Sequence, residues 1–104
     1  MSKFARRRDA NEAAIIKALK SHGVTVTQMD GKGVPDLLIG HGGVTYIVEV
    51  KQAHGRAGAG AKRSESGLLE TQEAWWSAWQ GRRPVVVTTA EEALAVVGIT
   101  LRVR

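Results

Sequence analysis

The chain has 104 residues, 43% hydrophobic and 24% charged, with two prolines and no cysteine. That is enough chain for one small domain spanning residues 1–104, too apolar for disorder, and it excludes disulfide frameworks, zinc ribbons and thiol nucleophiles. Fifteen Lys and Arg against ten Asp and Glu give a net charge of +5 and a pI near 10.1; no run approaches the roughly eighteen apolar residues of a membrane span, and the start lacks the apolar core of a signal peptide, so the expected setting is cytoplasmic (a bacterial protein or a viral one in its host) with no membrane partner.

The first eight residues carry Lys3, Arg6, Arg7 and Arg8 without an acid. Residues 9–21 then read as an amphipathic helix, with Ile15, Ile16 and Leu19 as its apolar stripe and Gly23 as its stop. Val24 to Met29 alternates valine with polar residues in the manner of a strand. Asp30-Gly31-Lys32-Gly33 is a turn, and Pro35 forces an extended entry into the next segment. Asp36–Gly40 and Val44–Lys51 are two strands flanking His41-Gly42-Gly43, a hairpin signal. Both carry apolar residues on both faces, which places them centrally in a sheet.

Residues 52–67 hold four glycines and no large apolar side chain, and read as a mobile loop long enough to imply function. Its cations are Arg56, Lys62 and Arg63, with Lys51 just before it. Leu68–Gln80 is a second helix with Leu68, Gln72, Trp75, Trp76 and Trp79 along one stripe. Its tryptophans read as core rather than as a base-stacking platform. Pro84–Thr88 is a short strand, and Thr89 with Glu92 frames a third helix as a capping box that Gly98 ends. Ile99–Arg104 alternates and is a candidate edge strand. The fold class is α/β with a mixed sheet: a three-strand meander, then a strand–helix–strand crossover.

Clustered positive charge is the footprint of a phosphate-backbone binder, with a solubilising surface as the plain alternative. Arg6, Arg7, Arg8, Lys32, Arg56, Lys62 and Arg63 are the candidate DNA contacts.

The most informative segment is Gly33 to Lys51. With Gly42 and Gly43 as the centre of a two-residue turn, facing residues sum to 85, so Asp36 opposes Glu49. Their Cβ atoms would lie about 5 Å apart on one face, where two ionised carboxylates repel by roughly 3 kcal/mol at an effective dielectric of 20. A divalent cation reverses that sign, and hard oxygen donors suit Mg²⁺ or Mn²⁺. Lys51, two residues beyond Glu49, is aimed at the same face. There it can orient a metal-bound water and neutralise charge building on phosphorus. The competing reading is a Glu49–Lys51 salt bridge with Asp36 capping the turn after Pro35.

Glu12 heads the stripe of the first helix and is either a third acid, reaching the metal directly or through water, or the N3 member of a capping box with Asp9. Gln72, inside an apolar stripe, needs a partner: a catalytic carboxylate, Lys51, a phosphate or a backbone group.

Glu12, Gly33-Val34-Pro35-Asp36, Glu49-Val50-Lys51 and Gln72, in that order, resemble the PD-(D/E)xK nuclease superfamily and within it the compact VRR-Nuc (virus-type replication-repair nuclease) family. The resemblance implies a restriction-endonuclease-like αβββαβ core, here with a C-terminal helix, and a Mg²⁺- or Mn²⁺-dependent endonuclease. Asp36, Glu49 and the backbone carbonyl of Val50 would be metal ligands, Glu12 an auxiliary acid, Lys51 the residue that positions the attacking water, and Gln72 its support. As a lone small domain the chain resembles the stand-alone viral and bacterial members, which tend to be homodimeric and to prefer branched DNA, so the resemblance implies a homodimer acting on branched DNA such as four-way (Holliday) junctions. Flap or nick cleavage, a DNA-binding or assembly module that does not cut alone, and a structural protein with an ion-binding acid pair are the alternatives.

Overall fold

The computed structural model describes residues 10–52 and 70–100. Their order is α1 (Glu12–Ser21), β1 (Thr25–Gln28), β2 (Leu37–His41), β3 (Val44–Val50), α2 (Glu70–Ala78), β4 (Val85–Val87) and α3 (Ala90–Val96). The strands form one open sheet in the order β1-β2-β3-β4. β1, β2 and β3 are antiparallel neighbours, and β4 joins β3 in parallel after the α2 crossover. The fold is the expected mixed α/β arrangement, with β2 and β3 central.

The hairpin sets the register. Gly42 and Gly43 both take positive φ, +59° and +81°, the backbone that a two-residue turn needs to match strand twist. Pairing then runs from His41↔Val44 out to Leu37↔Val48, the register read from the sequence. Asp36 lies one residue before β2 rather than within it, and its carbonyl accepts from the Met29 N–H at 2.8 Å.

Alternation along the strands sends Leu37, Ile39, Val48, Val50 and Val87 to one face, where they pack with Ile15 and Leu19 of α1 and Ala93, Leu94 and Val97 of α3. Fully burying each such side chain stabilises by about 1.5–3 kcal/mol. The opposite face takes Leu38, Glu49 and Val86; Leu38 and Val86 are exposed and Glu49 is buried.

α3 begins as expected. The Thr89 side chain accepts from the Glu92 N–H at 3.1 Å, and the Glu92 carboxylate accepts from the N–H and hydroxyl of Thr88 at 2.6 and 2.9 Å. Those bonds, the Thr88 N–H first, hold the Glu92 carboxyl below its usual range. α1 begins differently from expectation. Its N-cap is Asn11, so Glu12 is the first helical residue and does not hold the N3 place of a capping box; Asp9 lies outside the described residues. The Asn11 amide nitrogen does not cap its own helix. It donates to the carbonyls of Lys51 at 2.9 Å and Thr88 at 2.6 Å, fastening α1 to the ends of β3 and β4.

α2 corrects a second expectation: none of its residues is buried, so its tryptophans are not core. Trp75 and Trp79 instead stack on one another, with centroids 4.9 Å apart and planes at 13°. The Trp79 indole donates to the Arg82 carbonyl at 2.9 Å, and the Arg83 guanidinium donates to the carbonyls of Trp76 and Trp79. The helix C-terminus is thereby capped by a side chain, and the tryptophan spacing serves this local knot. Ile99 and Thr100 form no strand; the Ile99 N–H returns to the Leu94 carbonyl and ends α3. Residues 101–104, like most of the 52–67 loop, lie outside the described residues. No helix among the described residues is long and apolar enough to cross a membrane.

Candidate functional site

The end of the β2–β3 ladder gathers Asp36, Glu49, Val50 and Lys51, and α2 adds Gln72. Asp36 is 7% exposed and Glu49 2%. The Asp36 Oδ2 accepts from the Val50 N–H at 2.8 Å. With its carbonyl on Met29, Asp36 is thus held from both neighbouring strands. Glu49 and Lys51 share the face opposite the core, as period-two alternation requires. The Lys51 Nζ stands 3.2 Å from Glu49 Oε2 and donates to Gln72 Oε1 at 2.9 Å. The Gln72 Nε2 closes the ring by donating to the same Glu49 Oε2 at 2.6 Å. Gln72 therefore meets two of the partners its sequence position allowed, the carboxylate and the lysine.

Why Gln72 reaches so far into the sheet is explained by Gly33. Its φ is +80°, and a Cβ there would sit 2.9 Å from the backbone carbonyl carbon of Thr71. Only a residue without a side chain lets the start of α2 settle on this turn, and Gln72 is the next residue along. The turn after β1 and the first turn of α2 thus position the amide together. Lys32, exposed in the same turn, lies beside this contact.

The electrostatics are uneven. Burial first, and then the charge of Asp36, push the Glu49 carboxyl up to about 7 against the lowering pull of Lys51. Both neighbours of the ring bind Glu49 through Oε2; Oε1 is buried without a hydrogen-bond partner among the described residues. A buried carboxylate with one idle oxygen, facing a second carboxylate, is an expensive arrangement on its own and a hard-oxygen donor set for a small divalent cation. The residues present fit Mg²⁺ or Mn²⁺.

Glu12 arrives from the other side. It is 2% exposed on α1, and its Oε2 accepts from Gln28 Nε2 at 2.9 Å. Gln28 pairs with Leu37 and so belongs to the core-side register. Among the described residues no three acidic or imidazole side chains stand together as an ion-holding group. The structure thus brings Asp36, Glu49, Lys51 and Gln72 into one cluster, with Glu12 held by Gln28 on the core side. Arg6, Arg7, Arg8, Arg56, Lys62 and Arg63 lie outside the described residues.

Asn11 and Gln28 escape a reading of the sequence, and Gly33 gains a role there only as part of a motif. Asn11 and Gln28 are ordinary polar residues whose partners are 40, 77 and 16 positions away. Nothing local marks them. Gly33 did carry a signal, since a glycine two residues before Pro35 invites the question of what lies against its backbone. Comparison with family models, with curated proteins and with solved structures finds no match to this chain.

Proposed function

We propose that this chain is a Mg²⁺- or Mn²⁺-dependent endonuclease with a restriction-endonuclease-like core that hydrolyses DNA phosphodiesters. The observation that carries the reading is the buried Asp36–Glu49 pair, with Glu49 Oε1 lacking a partner and Lys51 beside it. Asp36, Glu49 and the carbonyl of Val50 would hold the ion, and Glu12 would assist through water. When bound, the ion supplies Lewis-acid polarisation of the phosphate and a more acidic water. The Lys51 ammonium orients the attacking water and offsets negative charge gathering on the phosphoryl oxygens. Gln72 keeps Lys51 and Glu49 in mutual register through its two amide atoms, and Asp36 is fixed by the Val50 N–H. The preferred substrate is branched DNA, four-way junctions above all, cut by a homodimer whose two-fold axis matches that of the junction.

A second reading, a DNA-binding module that does not cut, is favoured by the same ring: Lys51 and Gln72 already engage Glu49 Oε2 without an ion. A panel of labelled duplex, nicked, flap, splayed and four-way DNAs, with Mn²⁺ or with EDTA, separates the two. Metal-dependent cuts that vanish in Asp36→Asn support the nuclease. Gel shifts in EDTA with no cleavage of any substrate support the module.

A further inference from the structure

A cleft of about 740 Å³ opens between α1 and β1. Its wall is one face of α1, with Ala13 and Ile16 as apolar floor and Lys17 and Lys20 above them. Gln28 of β1 closes the other side and, through its 2.9 Å bond to Glu12, ends the cleft on a residue of the candidate site. From Glu12 to Lys20 the helix rises about 12 Å. Lys17 and Lys20, three residues apart, have Cβ atoms about 5–6 Å from one another, suited to successive phosphates of one strand.

The volume lies within the range of about 300–1,000 Å³ that holds compact ligands. That is room for about one or two nucleotide units and far too little for a duplex. The cleft is lined by two cations, an apolar floor and a single buried acid already bonded to Gln28. Such a lining repels a basic peptide and complements an anionic chain with apolar faces. We infer that the α1–β1 cleft holds a single strand of nucleic acid, its phosphates on Lys17 and Lys20 and a base over Ala13 and Ile16. This deepens the nuclease reading and rests on it for the role of Glu12: the unpaired strand of a branched substrate lies on α1 and ends at Glu12, on the core side of the sheet.

The test is binding in EDTA, where no cleavage occurs. A labelled oligothymidylate of about twelve nucleotides and a duplex of the same length are titrated into wild type, Lys17→Ala/Lys20→Ala and Ala13→Trp across a salt series. Both lysines and Ala13 are exposed, so melting temperatures should match wild type. The expected result for the lysine pair is about a tenfold loss of single-strand affinity, with the log–log salt slope reduced by up to about 1.4, or 0.7 per phosphate contact. Ala13→Trp, which fills the cleft without changing charge, should lower single-strand affinity at an unchanged slope. Duplex affinity should stay within twofold in both. Single-strand affinity and slope unchanged in both variants would overturn the proposal, and so would loss of self-association by light scattering, which would give the cleft to a second copy. The same proteins in Mn²⁺ keep the two readings apart. Cleavage with unaltered binding removes the cleft and leaves the nuclease; altered binding without cleavage by wild type removes the nuclease and leaves the strand site.

Discussion

Replacing Glu49 by Gln should change how stability depends on pH. In the metal-free protein the Glu49 carboxyl is raised from 4.5 to about 7, by burial first and by Asp36 second. Below pH 4.5 the group is protonated in folded and unfolded chains alike, and no penalty applies. Between pH 4.5 and 7 the unfolded chain releases the proton while the fold retains it, so the fold loses stability as pH rises. Above 7 the penalty is complete, at about 3 kcal/mol for a shift of this size. The glutamine amide cannot ionise. Whatever constant offset it introduces, the stability difference between Glu49→Gln and wild type should therefore grow in the variant's favour by about 3 kcal/mol from pH 4.5 to pH 8. Urea melts in EDTA at several pH values measure this directly, because titrating groups away from Asp36 and Lys51 cancel between the two proteins. Parallel pH profiles would refute the reasoning, as would a difference that shrinks with pH. Either would mean that Glu49 is ionised at no cost and that the facing carboxylates are not in tension.

Added Mn²⁺ or Mg²⁺ should raise the melting temperature of wild type at pH 8, by about 1.4 kcal/mol of stability at ten times Kd, and should leave Asp36→Asn unmoved; a flat response of wild type across millimolar ion would remove the metal site. Lys51→Ala should keep DNA affinity and lose most of kcat, since the ammonium acts on charge that appears in the transition state; equal losses in both would make Lys51 a phosphate anchor. Gly33→Ala should destabilise by more than about 1 kcal/mol, through positive φ and the clash with Thr71, and should lower cleavage further by shifting Gln72; wild-type stability would show that α2 does not rest on this turn.

What the sequence made legible was local. The Gly42-Gly43 turn announced its own geometry, and with it the register as far as Leu37↔Val48, one residue short of Asp36 and Glu49. Thr89 and Glu92 announced a helix start three residues apart. Tertiary hydrogen bonds carry no such period. Asn11 reads as part of a helix, and only the assembled sheet offers it the carbonyls of Lys51 and Thr88. The tryptophan stripe misled because apolar spacing reports a sticky helix face without naming its partner. Here the ring area of Trp75 and Trp79 is spent largely within α2 and its C-terminal turn. Glu12 was ambiguous for a different reason: its role turns on where the helix begins, and that is set by Asn11 reaching elsewhere.

The packing of α1 on α3 also imposes an order on synthesis. A ribosome that has released residues up to about 80 has delivered the hairpin and both of its flanking helices, but Ile15 and Leu19 still lack the cover of Ala93, Leu94 and Val97. Until α3 emerges, the chain carries a local β-structure with one apolar face open to water. It can close that face only by a contact between segments about 75 to 80 residues apart, which is slow to find and leaves the nascent chain adhesive in the meantime. The same arrangement makes the last helix a lock: the Asn11 bond to Thr88, the residue just before its cap, cannot form until that end of the chain arrives. Closing of this core thus waits for α3, even though the hairpin, its most conspicuous element, is complete by Val50.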